Sequence, residues 1–289
     1  MPAPHAEPIV DCHAHIIDPE RFPFTGTRGY QPRPDERGTR EAFVATLDQH
    51  GVSHGVLVQL SGYGTDNAAN LDAMKAYPGR FKAIAVVDPG ASDRTLDDLA
   101  DAGVVGVRFN LPSYDPQALM QPGTPRFLAR LKEMGWFAQV YANDAQWPDA
   151  ARILRASGVH VLVDHLGVVD VTVGTQHEGF QAVLALGRDG LATAKLSSLF
   201  RVSQMPARFD DLDAYVEALL DAFGVEHCVW GSDWPFIHVP RRPVYAALMT
   251  PLLRWLPDTG DRMRVLSRNP MRLFGFNARH SRESGNPAS

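Results

Sequence analysis

Two histidines one residue apart, His13 and His15, lie in a short run near the N-terminus, Asp11-Cys12-His13-Ala14-His15. An extended segment sends alternate side chains to opposite faces, so both imidazoles share one face while Cys12 and Ala14 take the other. One histidine at such a place is unremarkable. Two on an inward face each need polar partners, which apolar packing does not supply. Cys12 reads as a small buried hydrophobe. Further along, Val161-Leu162-Val163-Asp164-His165 brings His165 to the outlet of a second apolar run. Val229-Trp230-Gly231-Ser232-Asp233 does the same for an acid, and Gly231, on the face of Asp233, leaves room for whatever the carboxylate must touch. Three imidazoles and a carboxylate are groups that move protons, polarise a carbonyl or hold a metal.

Two arginines indicate what these groups act on. Arg108 closes a run in which Val104, Val105 and Val107 are apolar, and Arg201 follows Lys195-Leu196-Ser197-Ser198-Leu199-Phe200. Guanidinium groups converging on one pocket clamp carboxylates in bidentate fashion, so the expected partner is a small anionic substrate. Tyr30, Ser61, Thr65 and Tyr141, at loops or run ends, are expected to add neutral hydrogen bonds. Tyr63 and residues 22–24 read as lid packing. His50, His54, His160, His177, His227 and His238 receive no role.

Only a fold that gathers distant segments can bring these residues together. Short apolar runs recur at 9–15, 55–60, 81–87, 104–110, 136–141, 159–165, 192–197 and 227–233, bounded by Gly, Pro, Asp or Asn, as buried parallel strands are. Helical periodicity fills most of the gaps, at 41–49, 67–77, 96–102, 125–134, 148–156 and 210–223. Thr39 and Asp93 are candidate N-caps. Gly51, Gly103, Gly135, Gly158 and Gly224 follow helical stretches, where a left-handed C-cap favours a residue without Cβ. Eight strand–helix repeats of about 28 residues predict an α/β fold, a single-domain (β/α)8 TIM barrel, whose active site lies at the C-terminal ends of the strands. An open doubly wound sheet is disfavoured because no glycine-rich phosphate loop follows the first strand. Residues 1–277 form the expected domain, and the polar 278–289 segment reads as a disordered tail.

The 289 residues are 45% hydrophobic and 21% charged, which excludes collagen-like and low-complexity classes. Lys+Arg total 28 against 33 Asp+Glu, a formal charge of -5 without the basic footprint of a nucleic-acid binder. Two cysteines are too few for a disulfide scaffold and fit a reducing compartment. No secretory leader or membrane-length apolar run is visible, so a cytoplasmic protein, monomer or dimer, is expected.

The motifs Asp-Cys-His-Ala-His, Asp164-His165-Leu166-Gly167 and Trp230-Gly231-Ser232-Asp233-Trp234-Pro235 resemble the amidohydrolase superfamily. Gly64-Thr65-Asp66-Asn67, Gly106-Val107-Arg108-Phe109-Asn110, Asn269-Pro270 and Leu273-Phe274-Gly275 narrow the resemblance to its lactonase branch, which includes 2-pyrone-4,6-dicarboxylate lactonases. The resemblance spans about residues 9–276 and implies a hydrolase that opens a carboxylate-bearing lactone: a pyrone dicarboxylate, a muconolactone or a sugar-acid lactone. Binuclear members of the superfamily place a bridging ligand on strand four and a histidine on strand five, where this chain has Arg108 and Tyr141. Arginine accepts nothing, so a binuclear centre is excluded. No metal is favoured. The alternative is one zinc or manganese ion on His13, His15, His165 and Asp233. Without a metal, Asp233 is the expected general base and the three histidines polarise the carbonyl. The second arginine of the branch, six residues beyond Arg108, is replaced by Tyr114. A metal-dependent decarboxylase and a lactone isomerase of the same superfamily are the alternative functions.

Overall fold

The computed structural model describes residues 7–24, 30–205 and 207–277; the tail expected over 278–289 lies outside them. Eight parallel strands stand in sequential order. They are β1 (Ile9–Ala14), β2 (Val52–Val58), β3 (Phe81–Ala85), β4 (Val104–Asn110), β5 (Phe137–Tyr141), β6 (Val161–Val163), β7 (Ala192–Ser197) and β8 (Cys228–Gly231). Between them run α1 (Arg40–Gln49), α2 (Ala68–Ala76), α3 (Asp93–Asp101), α4 (Thr124–Glu133), α5 (Trp147–Ser157), α6 (Glu178–Arg188), α7 (Leu199–Val202) and α8 (Asp213–Phe223). After β8 come α9 (Leu252–Trp255), α10 (Thr259–Met263) and α11 (Asn269–Phe274). A parallel bridge from Ala14 to Trp234 joins the last strand to the first, so the expected (β/α)8 barrel is the fold. Among the described residues no helix is long and apolar enough to cross a membrane.

Strand side chains divide by period two. Leu57, Val107, Val140, Val163, Ala194 and Trp230 point outward into the large cluster that the helices cover. Val10, Cys12, Val56, Val58, Ile84, Leu162 and Val229 meet in a second cluster that only the barrel interior can assemble. Phe274 and Phe276, from α11 and the turn after it, belong to the same cluster, with the Phe274 ring 5.5 Å from Phe137. An apolar plug thus occupies the lower interior, and the polar inward residues lie above it.

Cys12 departs from the alternation expected for β1. It joins the interior cluster, as His13 does the interior polar layer, while Ala14 joins the outer one. The register between β1 and β2 shifts between Asp11 and Ala14. A bulge of this kind lets two successive residues face the same way. Cys12 is nonetheless a buried hydrophobe.

Thr39 caps α1, its side chain accepting from Ala42 N at 3.2 Å, an interaction typically worth ~1 kcal/mol. At α3 the cap is Ser92, which accepts from Thr95 N at 3.2 Å, rather than Asp93. Ser92 has the extended backbone a cap requires, and Asp93 is the first helical residue, where its charge meets the positive helix end. All five helix-terminating glycines have positive φ. The helix α6 carries two glycines, Gly179 and Gly187, which mask its periodicity. Both are required by close packing: a Cβ at Gly179 would lie 2.1 Å from Asp144 O, and one at Gly187 would lie 2.3 Å from the Phe223 ring.

His160 precedes β6 at the lower end of the barrel, with Nε2 2.9 Å from Thr193 Oγ1 and its ring edge-on to Phe137. Burial, with His227 and Arg272 nearby, pushes its pKa down from 6.5 to about 4. The unfolded chain therefore takes up this proton first, and the stability tied to a neutral His160 is lost as pH falls from about 6.5 towards 4. In melts across that range, His160→Gln is expected to lose stability less steeply than wild type, whatever its value at neutral pH. Parallel curves would contradict this.

Candidate active site

The upper rim of the barrel is shaped by the seam between β1 and β8. Asp233 N donates to His13 O and His15 N donates to Trp234 O, each at 2.8 Å. A Cβ on Gly231 would lie 2.8 Å from His13 N, so glycine is what allows the two strands to approach. Behind the seam, Asp11 accepts from Ser232 N at 2.8 Å, Ser232 Oγ at 2.5 Å, Tyr245 OH at 2.9 Å and His13 N at 3.2 Å. Burial raises the Asp11 carboxyl to about 6, and these donors oppose the rise. Three residues at strand outlets, His165, Ser198 and Asp233, have φ of 51°, 55° and 64°. Such left-handed backbone typically costs about 1–3 kcal/mol per residue and concentrates at functional sites.

Asp233 is the hub. Its Oδ1 lies 3.3 Å from His15 Nε2 and 3.7 Å from His13 Nε2. Its Oδ2 accepts from Ser198 Oγ and from Arg201 Nε, both at 2.6 Å. On the far side of His15, Nδ1 donates to Val58 O at 2.7 Å, which fixes the ring. His165 shares a 2.9 Å hydrogen bond between Nδ1 and Ser197 Oγ, and its ring centroid lies 4.5 Å from that of His13. The structure thus brings together all four groups singled out in the sequence.

Beneath them lies a second polar layer that the sequence reading left unassigned. Asp164 Oδ1 lies 3.3 Å from both His13 Nδ1 and Lys195 Nζ, and its Oδ2 lies 3.5 Å from Arg108 Nε. Gln139 joins Lys195 to Asp164, accepting from Nζ at 2.6 Å and donating to Oδ2 at 3.0 Å. The pattern that reveals this layer is polarity at period two: Thr193, Lys195 and Ser197 on β7 are polar while Ala192, Ala194 and Leu196 are not.

Above the hub opens a cavity of about 480 Å³, its mouth included. Tyr30, Ser61, Arg108, Tyr141, His165, Arg201 and Asp233 line it, as do His15, Asn110, Ser113 and His238. Arg108 directs NH1 to Gln59 O at 3.3 Å and lies 5.5 Å from the Tyr141 ring centroid; its second terminal nitrogen has no partner among the described residues. Arg201 binds Asp233 through Nε and Ile237 O through NH2 at 2.8 Å, so its first contact is with the hub acid rather than with open space. Tyr30 donates to Glu36 Oε2 at 2.5 Å and stacks on His238, a lining residue to which the sequence gave no role.

Thr65 does not reach this cavity. It is exposed and borders a separate one with Asp66, Asn67 and Asp88. Gly64, at φ 56°, turns the chain away, and the motif serves a structural end. Asn67 binds Val86 N and O, while the Gln59 amide donates to Gly64 O and Asp66 O.

Charge sets the character of the site. Burial alone would raise Asp233, but Arg201, a hydrogen bond from His15 and the neighbouring His165 and His13 hold it well below the usual carboxylate range. Burial likewise favours an uncharged Asp164, and Lys195 and His13 hold it down instead. Burial pushes His165 to about 4 and His13 well below its ordinary value, so both rings are neutral at pH 7. Three basic side chains, Lys195, Arg108 and Arg201, thus face two carboxylates, Asp164 and Asp233. Ligand atoms of His13, His165 and Asp233 lie within 4.8 Å of one another, close enough to hold one small cation. The surrounding positive charge opposes a divalent ion and suits an anion.

Comparison with known proteins places this geometry. The family model described as Amidohydrolase matches residues 10–276. A 4-sulfomuconolactone hydrolase from Hydrogenophaga intermedia is 30% identical over 271 residues, covering 92% of this chain and 88% of that one. A 2-pyrone-4,6-dicarboxylate hydrolase from Comamonas testosteroni is 28% identical over 276 residues, covering 92% and 89%. Among solved structures, a probable 2-pyrone-4,6-dicarboxylic acid hydrolase from Acinetobacter baumannii, with citric acid bound, superposes with a TM-score of 0.85 at 29% identity, covering 93% and 99%.

The seam can be tested with one methyl group. Gly231→Ala places a Cβ against His13 N and is expected to destabilise by about 1–3 kcal/mol, with the loss read by thermal melting. Gly123→Ala, where the nearest atom to a new Cβ is 4.0 Å away, should melt close to wild type. Equal melting of the two variants would remove the seam from the explanation.

Proposed function

The chain belongs to the amidohydrolase family, and from that premise we propose that it hydrolyses a lactone carrying at least one carboxylate. The observation that carries this reading is one ionised carboxylate, Asp233, which lines a cavity together with His15 and His165, has the buried ring of His13 behind it, and faces a wall that presents the unpartnered end of Arg108. The hydrolases of sulfomuconolactone and pyrone dicarboxylate among its relatives support it.

Asp233 accepts a proton from water, and the oxygen of that water forms a bond to the lactone carbonyl carbon. The carbonyl oxygen becomes an oxyanion, held by N–H groups of His13 and His165, whose neutral rings act as donors rather than charges. A donor of this kind contributes roughly 3–4 kcal/mol to the transition state. The tetrahedral intermediate collapses with cleavage of the ring C–O bond, and protonated Asp233 returns its proton to the leaving oxygen. One water is consumed and a hydroxy acid, or its enol, is released. Arg108 binds a substrate carboxylate, with Tyr141, Ser61 and Tyr30 offering hydrogen bonds around it. With Tyr114 in place of a second strand-four arginine, the preferred ring carries fewer anionic groups on that side.

We read the chemistry as independent of metal, supported by the positive charge around Asp164 and Asp233. Were one zinc or manganese ion bound, His13, His165 and Asp233 would hold it, and it would supply Lewis acidity at the carbonyl. A cytoplasmic location is supported by the two free, buried thiols of Cys12 and Cys228.

A panel of pyrone, muconolactone and sugar-acid lactones, assayed with and without chelator and with product identification by NMR, tests the proposal. Turnover of an anionic lactone to its ring-opened acid, unchanged by chelator, is expected. Activity abolished by chelator and restored by zinc or manganese would overturn the metal-free reading, and an isomeric lactone as product would overturn hydrolysis. Asp233→Asn should lower kcat by ~10²–10⁴-fold, the usual contribution of a positioned base. Arg108→Met should raise KM for the anionic substrate by roughly tenfold or more, as loss of a charge-assisted pair does.

A further inference from the structure

Lys195 lies in the middle of β7 with no exposed surface, below the cavity, and the reaction above makes no use of it. Three polar atoms surround its ammonium: Gln139 Oε1 at 2.6 Å, Asp164 Oδ1 at 3.3 Å and His13 Nδ1 at 3.4 Å. The Gln139 amide is oriented by its own donation to Asp164 Oδ2, so its oxygen is the atom turned to Lys195. An ammonium carries three donors and no acceptor. One proton has Gln139 Oε1 as its acceptor, Asp164 Oδ1 balances the charge at 3.3 Å without a hydrogen bond, and a further proton faces the imidazole, whose Nδ1 must then offer a lone pair.

The opposite end of the ring agrees. His13 Nε2 is buried without a hydrogen-bond partner, and the charge nearest to it is Asp233 Oδ1 at 3.7 Å. An N–H directed at a carboxylate is attractive, whereas a lone pair in that place is repulsive. We propose that Lys195 is a positioning residue that holds His13 in its Nε2–H tautomer. His13 is thereby a standing donor towards Asp233, beneath the cavity, and withholds the lone pair through which an imidazole grips a metal. Asp164 Oδ1, 3.3 Å from the same Nδ1, pulls the other way, and Lys195 prevails because its charge is paired with that very carboxylate. Removing the ammonium leaves Asp164 as the partner of Nδ1. The ring proton then moves to Nδ1 and the Nε2 lone pair turns inward, the carboxylate–histidine arrangement of metal sites.

The experiment is nitrogen NMR of the full chain with labelled histidine, the His13 signals identified by their loss in His13→Gln. Wild type is expected to show a protonated Nε2 and a bare Nδ1. Lys195→Met, similar in length and uncharged, should show the reverse and should bind zinc, titrated as the metal alone, at least ~10-fold more tightly than wild type. A bare Nε2 in wild type overturns the proposal, as does a variant with unchanged tautomer and unchanged zinc affinity. If Lys195→Met fails to fold, the wild-type spectrum alone decides. The kinetic arm rests on the lactone reading: kcat falls by ~10²–10³-fold with KM within about threefold, as expected for a donor lost in the transition state. If no lactone is turned over at all, that reading fails, and the spectrum and the zinc titration still judge Lys195.

Discussion

Closing eight parallel strands into a cylinder requires the last strand to hydrogen-bond to the first. Here that closure and the active site are the same set of atoms. The backbone of Asp233 and Trp234 bonds to that of His13 and His15, so the acid and two of the three imidazoles are fixed relative to one another by the barrel itself. Gly231 sets the approach of the strands, and Asp11 ties the backbone of both sides together from behind. A site built into a closure seam gains precision, because any drift of the catalytic groups would also break strand pairing.

Electrostatics builds on that geometry. Removing Asp164 and Asp233 from water is costly, and each is offset by close cations and donors. The consequence for Asp233 is double-edged. Arg201 and Ser198 keep it ionised and oriented, yet a carboxylate held well below its usual range is a weak base. In the proposed reaction its effectiveness therefore comes from placement beside the reacting water and from donors aimed at the oxyanion, rather than from intrinsic basicity. Arg201 is accordingly tied first to the acid, which under the proposed function leaves Arg108 as the main cationic contact for a substrate anion.

Strand positions, barrel closure and the quartet of His13, His15, His165 and Asp233 were legible in the sequence because parallel strands and their outlets obey simple periodic rules. Where the rules break, the reading failed for identifiable reasons. A bulge turned Cys12 inward beside His13, which strict alternation forbids. Gly64 turned Thr65 away from the cavity, so a motif that looked like substrate contact proved to brace loops. His238 reached the cavity through a loop with positive φ at Phe236 and His238, beyond the range of any periodicity. Lys195 stood among apolar neighbours, and only the inward polarity of β7 as a whole distinguishes it from a chance charge.

The His-x-His pair by itself does not choose between metal and proton chemistry, since an imidazole can present either a lone pair or an N–H to the same cavity. What decides is the group behind each ring. A carbonyl behind the ring, as Val58 O stands behind His15, takes the Nδ1 proton and fixes the forward Nε2 3.3 Å from Asp233 Oδ1. A donor behind it, as Lys195 stands behind His13, turns the forward nitrogen into a donor. Two histidines on one strand face are thus given complementary duties by residues on β2 and β7. His15 is fixed beside Asp233, and in the proposed reaction His13 stabilises negative charge that develops above it. The character of the rim is in this sense set one layer down, by groups that do not line the cavity.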